Sequence, residues 1–385
     1  MEPHEDQEEW IPGLRLPRKI ASLFCRNGAS RNDGEQEAWI AARRDDETKK
    51  LREEDRMLRC IAAVSAALIF STLAVLPARA ADKVVLMLNW YVYGEHAPFY
   101  YGKAKGIYAA DGIDLEIQEG RGSAATTQAV AAKTANFGYV DVPTMMRAAV
   151  KGAPIIATGV LLQTSPMSVM GLAEKNIRKP EDIKGKTVAI TPADSMTQIW
   201  PLFLKKTGLK ESDFTTVAGD AQTKLNAVIN GRADLLLGYV MDQSMKIKDA
   251  TGKDVYPIKF ADYGINMVSS GLVANTDYVK ANADVVRRFM DATTKAVEAA
   301  EKDPRAAAQS ILDANPKGGK IGTLTEGFEL TIPLYRTPET RNKRPFQVTD
   351  QNMKDTVDLM VEYGGLDAKA KDNPKAFYTN DYLPK

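Results

Sequence analysis

Residues 83–141, KVVLMLNWYVYGEHAPFYYGKAKGIYAADGIDLEIQEGRGSAATTQAVAAKTANFGYVD, decide how this chain folds. The apolar run at 84–88 predicts a strand that ends at Asn89-Trp90, and the rings of Tyr91, Tyr93, His96, Tyr100 and Tyr101 follow before the next helix has closed. A second strand at 113–117 leads into Gly120-Arg121-Gly122-Ser123 and an Ala-rich helix over 124–133. A third strand at 136–140 stops at Asp141 and Pro143. Polar and aromatic residues thus gather where strands end and helices begin, the place where open parallel sheets bind ligands. The Gly-Ser step also leaves backbone N–H groups at a positive helix end.

The same alternation continues downstream. Strands are expected at 155–160, 167–173, 187–190, 214–217, 235–237, 256–260 and 267–273. Helices follow at 283–302, 305–312, 323–334 and 349–363, with Asp303-Pro304 and Thr349-Asp350 as start signals. This order predicts an α/β fold with largely parallel sheets, in two lobes joined by two crossings with a ligand cleft between them. The first lobe takes 83–168 and 272–385, and the second takes 169–271.

The N-terminal part reads differently. Residues 1–56 are dense in both charge signs and lack an apolar period, which favours disorder or a loose charged helix. Met57-Leu58-Arg59, an apolar stretch from Ile61, and Ala78-Arg79-Ala80 then have the composition of a secretory signal peptide over 57–80. Such a signal must lead a chain, so the functional start is expected at Met57, with 1–56 an upstream extension of the reading frame. Pro77 interrupts the apolar run and argues against a membrane anchor.

Composition narrows the function classes. Lys and Arg number 51 against 50 Asp and Glu, a formal net charge of +1, so nothing favours nucleic acid or an anionic membrane. Both cysteines, Cys25 and Cys60, lie in the N-terminal part, and His4 and His96 are the only histidines. The body of the chain therefore offers no disulfide, no Cys-ligated zinc and no cysteine nucleophile. Gly-x-Ser-x-Gly, P-loop and His-Glu-x-x-His motifs are all missing, and Gly120-x-Gly122 lacks the third glycine of a dinucleotide site. Neither a cofactor nor a metal is expected.

Asn89-Trp90, His96 with Pro98, Tyr100, Gly106-Ile107-Tyr108, Gly112-Ile113-Asp114, Gly120-x-Gly122-Ser123 and Phe137-Gly138 together resemble the opening signature of the periplasmic solute-binding proteins of ABC importers. More narrowly they resemble the branch related to thiamine-pyrimidine precursor binding, whose cousins bind aliphatic sulfonates, taurine and nitrate. The resemblance implies a periplasmic receptor that takes a small-molecule ligand, works as a monomer and serves an inner-membrane ABC permease. Fungal synthases that make the thiamine pyrimidine share this fold, and they carry a pyridoxal-phosphate lysine and a sacrificial histidine. Val140 and Thr144 stand at those places, and no cysteine cluster falls within 264–270. Such chemistry cannot run on Val and Thr.

Candidate ligand-binding residues follow from strand exits and helix starts. Trp90 is placed as a stacking platform or as a plug of the strand-helix corner. His96 either orients a ring by hydrogen bonding or is structural. Tyr100, Tyr139 and Tyr239 are cleft walls or core. Gly122, Ser123, Ser195 and Thr197 offer donors at helix starts or simply cap them. Asp141 accepts from a ligand amino group or caps the following helix. Rings outnumber nearby cations on this rim, since Lys103 and Arg147 fall in following helices, while Asp141, Asp194 and Asp242 occupy strand ends. That balance favours a thiamine-type pyrimidine or similar nitrogen heterocycle over alkanesulfonate, taurine or nitrate, because an anion site usually recruits an Arg.

Overall fold

The computed structural model describes residues 33–72, 80–192 and 194–385. Contacts divide the chain into two units, residues 1–78 and 79–385. In the first, Asp33–Thr72 is a single helix whose Trp39, Leu51 and Met57 are exposed. Among the described residues no helix is long and apolar enough to cross a membrane. Residues 1–32, and Ala78 and Arg79 of the expected cleavage site, lie outside the described residues.

The second unit holds two five-stranded sheets. Strands β1 (Asp82–Met87), β2 (Ile113–Gln118), β3 (Phe137–Asp141) and β4 (Ile155–Val160) belong to the first lobe. Strands β5 (Met167–Leu172), β6 (Thr187–Ile190), β7 (Thr215–Ala218), β8 (Leu235–Tyr239) and β9 (Val255–Lys259) form the second. The chain then returns, and β10 (Ser270–Asn275) inserts into the first sheet. Its order is β2-β1-β3-β10-β4, and the other sheet's is β7-β6-β8-β5-β9.

The sheets are mixed, where largely parallel ones were expected. β10 runs antiparallel to β3 and β4, and β5 runs antiparallel to β8 and β9. These two strands adjoin the crossings, so each enters its sheet from the cleft side and runs against its neighbours. The other pairings, β1 with β2 and β3, and β6 with β7 and β8, are parallel. Their strand ends therefore point toward the other lobe, and the loops that leave them meet in the cleft. The strand beginning expected at Met267 starts three residues later, because residues 265–269, buried except for Asn266, are the crossing itself.

Helices finish the first lobe at Ala283–Ala300, Pro304–Ala314, Ile321–Thr331 and Asp350–Glu362. Asp303 and Thr349 cap two of them, accepting from Ala306 N–H at 3.0 Å and Asn352 N–H at 3.0 Å. Phe289 stacks on Phe137 with ring centroids 4.0 Å apart, which seats the long helix on β3.

Candidate functional site

The exit of β1 is tied down by the Gly-rich loop after β2. Gly120 N–H donates to Trp90 C=O at 3.1 Å and Gly122 N–H to Asn89 C=O at 2.9 Å. A Cβ on Gly120 would lie 1.8 Å from Leu88 O, and Gly122 has φ +115°, so both positions need glycine. These N–H groups hold the Asn-Trp corner and are not left for a ligand. The helix Ser123–Ala131 starts directly after, and Ser123 Oγ accepts from Asp141 N–H at 3.0 Å.

The cleft is lined by Asn89, Trp90, Tyr93 and Ser123 from the first lobe. Facing them from the second are Asp194, Ser195, Met196, Lys224, Tyr239, Asp242 and Gln243. Of the expected site residues, the structure brings Trp90, Ser123, Ser195 and Tyr239 together here. The Tyr239 hydroxyl lies 3.1 Å from Ser195 Oγ and 3.5 Å from Ser269 Oγ at the crossing. Burial, then the charges of Asp141 and Glu95, push its phenol up, so it meets a ligand as a neutral O–H.

The remaining expected residues stand behind this wall. His96 is fully buried and its Nε2–H donates to Asn89 Oδ1 at 2.8 Å, so it holds a lining side chain and does not line the cleft itself. Burial, and secondarily Lys246, lower its pKa to about 3, and the ring is neutral. Tyr139 is wholly buried and donates to Glu95 Oε1 at 2.6 Å. Asp141 caps its helix, accepting from Thr144 N–H at 3.0 Å and Thr144 Oγ1 at 2.7 Å. Burial nonetheless raises its pKa to about 6. Thr197 donates its backbone N–H to Asp194 at 2.7 Å and its hydroxyl to Thr191 C=O at 2.8 Å, as a capped residue does. Tyr100 packs in the helix Ala97–Ala104, away from the lining, and Gly122 is the strap already described.

Sequence reasoning missed Lys224, Glu95 and the full role of Asp242. Lys224 is 2% exposed, pairs with Asp194 Oδ2 at 2.9 Å, and places its ammonium 5.3 Å from the centre of the Trp90 ring on the opposite lobe. A lone lysine in the helix Ala221–Ile229 reads as solvated, and only the buried Leu225, Ala227 and Val228 beside it hint otherwise. Glu95 accepts from Tyr139 and, by a very short bond, from Tyr93, which lines the cleft. Burial raises its pKa to about 7 against those hydrogen bonds. Asp242 accepts from the Tyr91 hydroxyl of the first lobe at 2.8 Å.

The enclosed surface thus offers aromatic faces from Trp90, Tyr93 and Tyr239, hydroxyls, and two carboxylates against one ammonium. It presents both donors and acceptors beside these aromatic faces. Among the described residues no group of His, Cys, Asp and Glu could hold a metal ion.

A protein named for thiamine biosynthesis from Haemophilus influenzae is 25% identical over 171 residues, 44% of this chain and 54% of its own length. The formylaminopyrimidine-binding protein of Halalkalibacterium halodurans is 25% identical over 204 residues, 52% of this chain and 61% of that one. A 4-amino-5-hydroxymethyl-2-methylpyrimidine phosphate synthase from Legionella pneumophila is 25% identical over 175 residues, 46% of this chain and 55% of that one. The chain spans about half the length of the curated relatives it matches.

Among solved structures, the alkanesulfonate-binding protein SsuA of Xanthomonas axonopodis pv. citri superposes with TM-score 0.60 at 15% identity, over 78% of this chain and 100% of that one. The periplasmic nitrate-binding protein NrtA of Synechocystis PCC 6803 does so with TM-score 0.59 at 12% identity, over 78% and 87%. The fold is that of periplasmic binding proteins. With residues 94–307 matching the family described as NMT1/THI5 like, more than half of its length, the chain belongs to that family.

Proposed function

We propose that this protein is the solute receptor of an ABC importer, which captures a thiamine-type pyrimidine or a similar flat nitrogen heterocycle and delivers it to an inner-membrane permease. It works in the periplasm as a monomer, by lobe closure and without a covalent step. The observation that carries the reading is the cleft lining: aromatic faces from both lobes, beside Asp194 and Asp242, which pair with Lys224 and Lys246. A flat ring gains stacking on Trp90, while its amino and ring-nitrogen edges find carboxylate acceptors and hydroxyl donors. A fully charged anion meets ammoniums that already face carboxylates, Lys224 with Asp194 and Lys246 with Asp242. The relative named for formylaminopyrimidine binding supports the same ligand class.

Lys224 favours a second reading, since a buried ammonium suits a sulfonate or nitrate and the solved neighbours include binders of such anions. Calorimetry against 4-amino-5-hydroxymethyl-2-methylpyrimidine, taurine, an alkanesulfonate and nitrate separates the two. Tight sulfonate binding with none of the pyrimidine overturns the heterocycle and keeps the receptor.

Several relatives are named synthases, so an enzyme on this cleft is tested too. Val140 is a buried strand residue and Thr144 a bonded helix residue, and neither supplies the lysine or histidine that the resemblance to fungal synthases requires. Incubation with pyridoxal phosphate and iron is expected to give no aldimine absorbance and no pyrimidine product; either signal rejects the receptor reading.

A further inference from the structure

We infer that Asp242 couples ligand recognition to lobe closure, as the acceptor that a ligand's amino group must reach and as the anchor of the opposite lobe's Tyr91. The inference rests on the receptor reading of the cleft.

The first observation is a cap that is not made. Asp141, Asp194, Asp220 and Asp303 each stand just before a helix and each accepts from the N–H three residues on, at 3.0, 2.7, 2.8 and 3.0 Å. Asp242 stands at the same place before Gln243–Thr251, yet its side chain accepts nothing from that helix's backbone. A carboxylate that forgoes its local partner does so for other contacts.

Those contacts reach across the cleft. Asp242 Oδ2 accepts from the Tyr91 hydroxyl at 2.8 Å and from Gln243 Nε2, whose amide also lies 3.3 Å from that hydroxyl. Lys246, one turn along, places its ammonium 3.5 Å from the centre of the Tyr91 ring. A phenol on the first lobe is therefore gripped by three groups of the second.

The other oxygen has an ion pair but no hydrogen bond. Asp242 is 3% exposed and lines the cleft, and its Oδ1 makes no hydrogen bond; Lys246 Nζ lies 3.1 Å away but outside hydrogen-bonding geometry. A buried acceptor without a donor is costly, so a ligand N–H arriving at Oδ1 stabilises the same closed arrangement that Tyr91 holds. A solute without that donor leaves the oxygen with the Lys246 charge but no hydrogen bond on closure. Recognition and closure thus meet at one carboxylate.

The test measures interlobe distance in the full chain, with Cys25 and Cys60 replaced by Ser and spin labels at Lys103→Cys and Arg232→Cys. The probes are 4-amino-5-hydroxymethyl-2-methylpyrimidine and its analogue lacking the amino group. Wild type should shorten its distance with the amino compound and bind the analogue about tenfold or more weakly. Asp242→Ala, which removes the acceptor, should level the two. Tyr91→Phe, with melting temperature kept, should widen the ligand-free distance distribution and speed dissociation about tenfold without slowing association. Equal binding of the two compounds by wild type overturns the acceptor role. A Tyr91→Phe protein with wild-type distances when empty overturns the latch, whatever solute the cleft takes. Failure of the pyrimidine to bind wild type at all, with Tyr91→Phe still opening the empty protein, overturns the ligand class and the acceptor role but keeps the latch.

Discussion

The Glu95 carboxyl sits at full burial between the hydroxyls of Tyr93 and Tyr139, and its pKa is raised to about 7 from an ordinary 4.5. A raised acid is protonated in the fold at pH values where the unfolded chain has already ionised. Below about pH 4.5 both states hold the proton and burial carries no charge cost; between about 4.5 and 7 the fold alone retains it, and stability falls as pH rises. Glu95→Gln removes this dependence. Its stability relative to wild type, followed by urea unfolding at pH 4, 5.5 and 8, should climb across that window by about 3 kcal/mol and then level off. A difference that stays constant with pH contradicts the buried-acid assignment. Trp90→Ala belongs to the same scale: a stacking role predicts weaker ligand binding by about 1 to 3 kcal/mol with the empty protein's melting unchanged. A drop in melting with affinity spared makes Trp90 a corner plug. The sequence exposed Trp90, Ser123, Ser195 and Tyr239 because each ends a strand or starts a helix. It hid Lys224 and Glu95, whose burial depends on what the opposite lobe and neighbouring loop place over them.

At the scale of elements, the strands are legible because their apolar runs are short and bounded by polar or turn residues. Residues 155–160 and 187–190 match the observed β4 and β6 in full, and Asp303 and Thr349 cap as their residue types suggest. What a single strand's residues do not contain is direction within a sheet. The antiparallel setting of β5 and β10 comes from the crossings, which only the assembled lobes define. The helix Ser195–Thr207 gives the sharper test of local chemistry. Asp194 caps it through Oδ1 and pairs with Lys224 through Oδ2. Asn at this position keeps a cap acceptor but gives up the charge pair, whereas Ala gives up both. Asp194→Ala should therefore unfold more easily than Asp194→Asn by about 1 kcal/mol in denaturant titrations. Equal stabilities show that the cap is not what holds this helix start. Both variants leave the Lys224 ammonium buried without its partner, so both should be clearly less stable than wild type.

At the scale of the molecule, the two lobes meet through contacts of unequal character. Arg147 donates to Gln198 C=O at 3.0 Å, Lys205 to Glu362 C=O at 2.8 Å, and Lys320 pairs with Asp249 at 2.8 Å with 71% of its side chain exposed. The last is an exposed ion pair, which contributes about 0 to 1 kcal/mol and weakens with salt, and the first two are single hydrogen bonds to backbone carbonyls, so these contacts cannot alone hold the cleft shut. The chain linking the lobes is only two extended crossings, one before β5 and one before β10. An opening equilibrium is the expected result, and a ligand that touches both walls shifts it by its differential affinity for the closed form. Small-angle scattering should then report a smaller radius of gyration at saturating ligand than without it. Melting should rise in parallel, by the equivalent of about 2.7 kcal/mol when free ligand stands at a hundred times its Kd, because only the folded cleft binds. Raising salt should widen the gap between empty and bound forms, since it weakens the exposed Lys320–Asp249 pair while sparing the ligand's buried contacts. A radius that stays fixed while melting rises places the ligand in a preformed cleft and removes hinge closure from the mechanism.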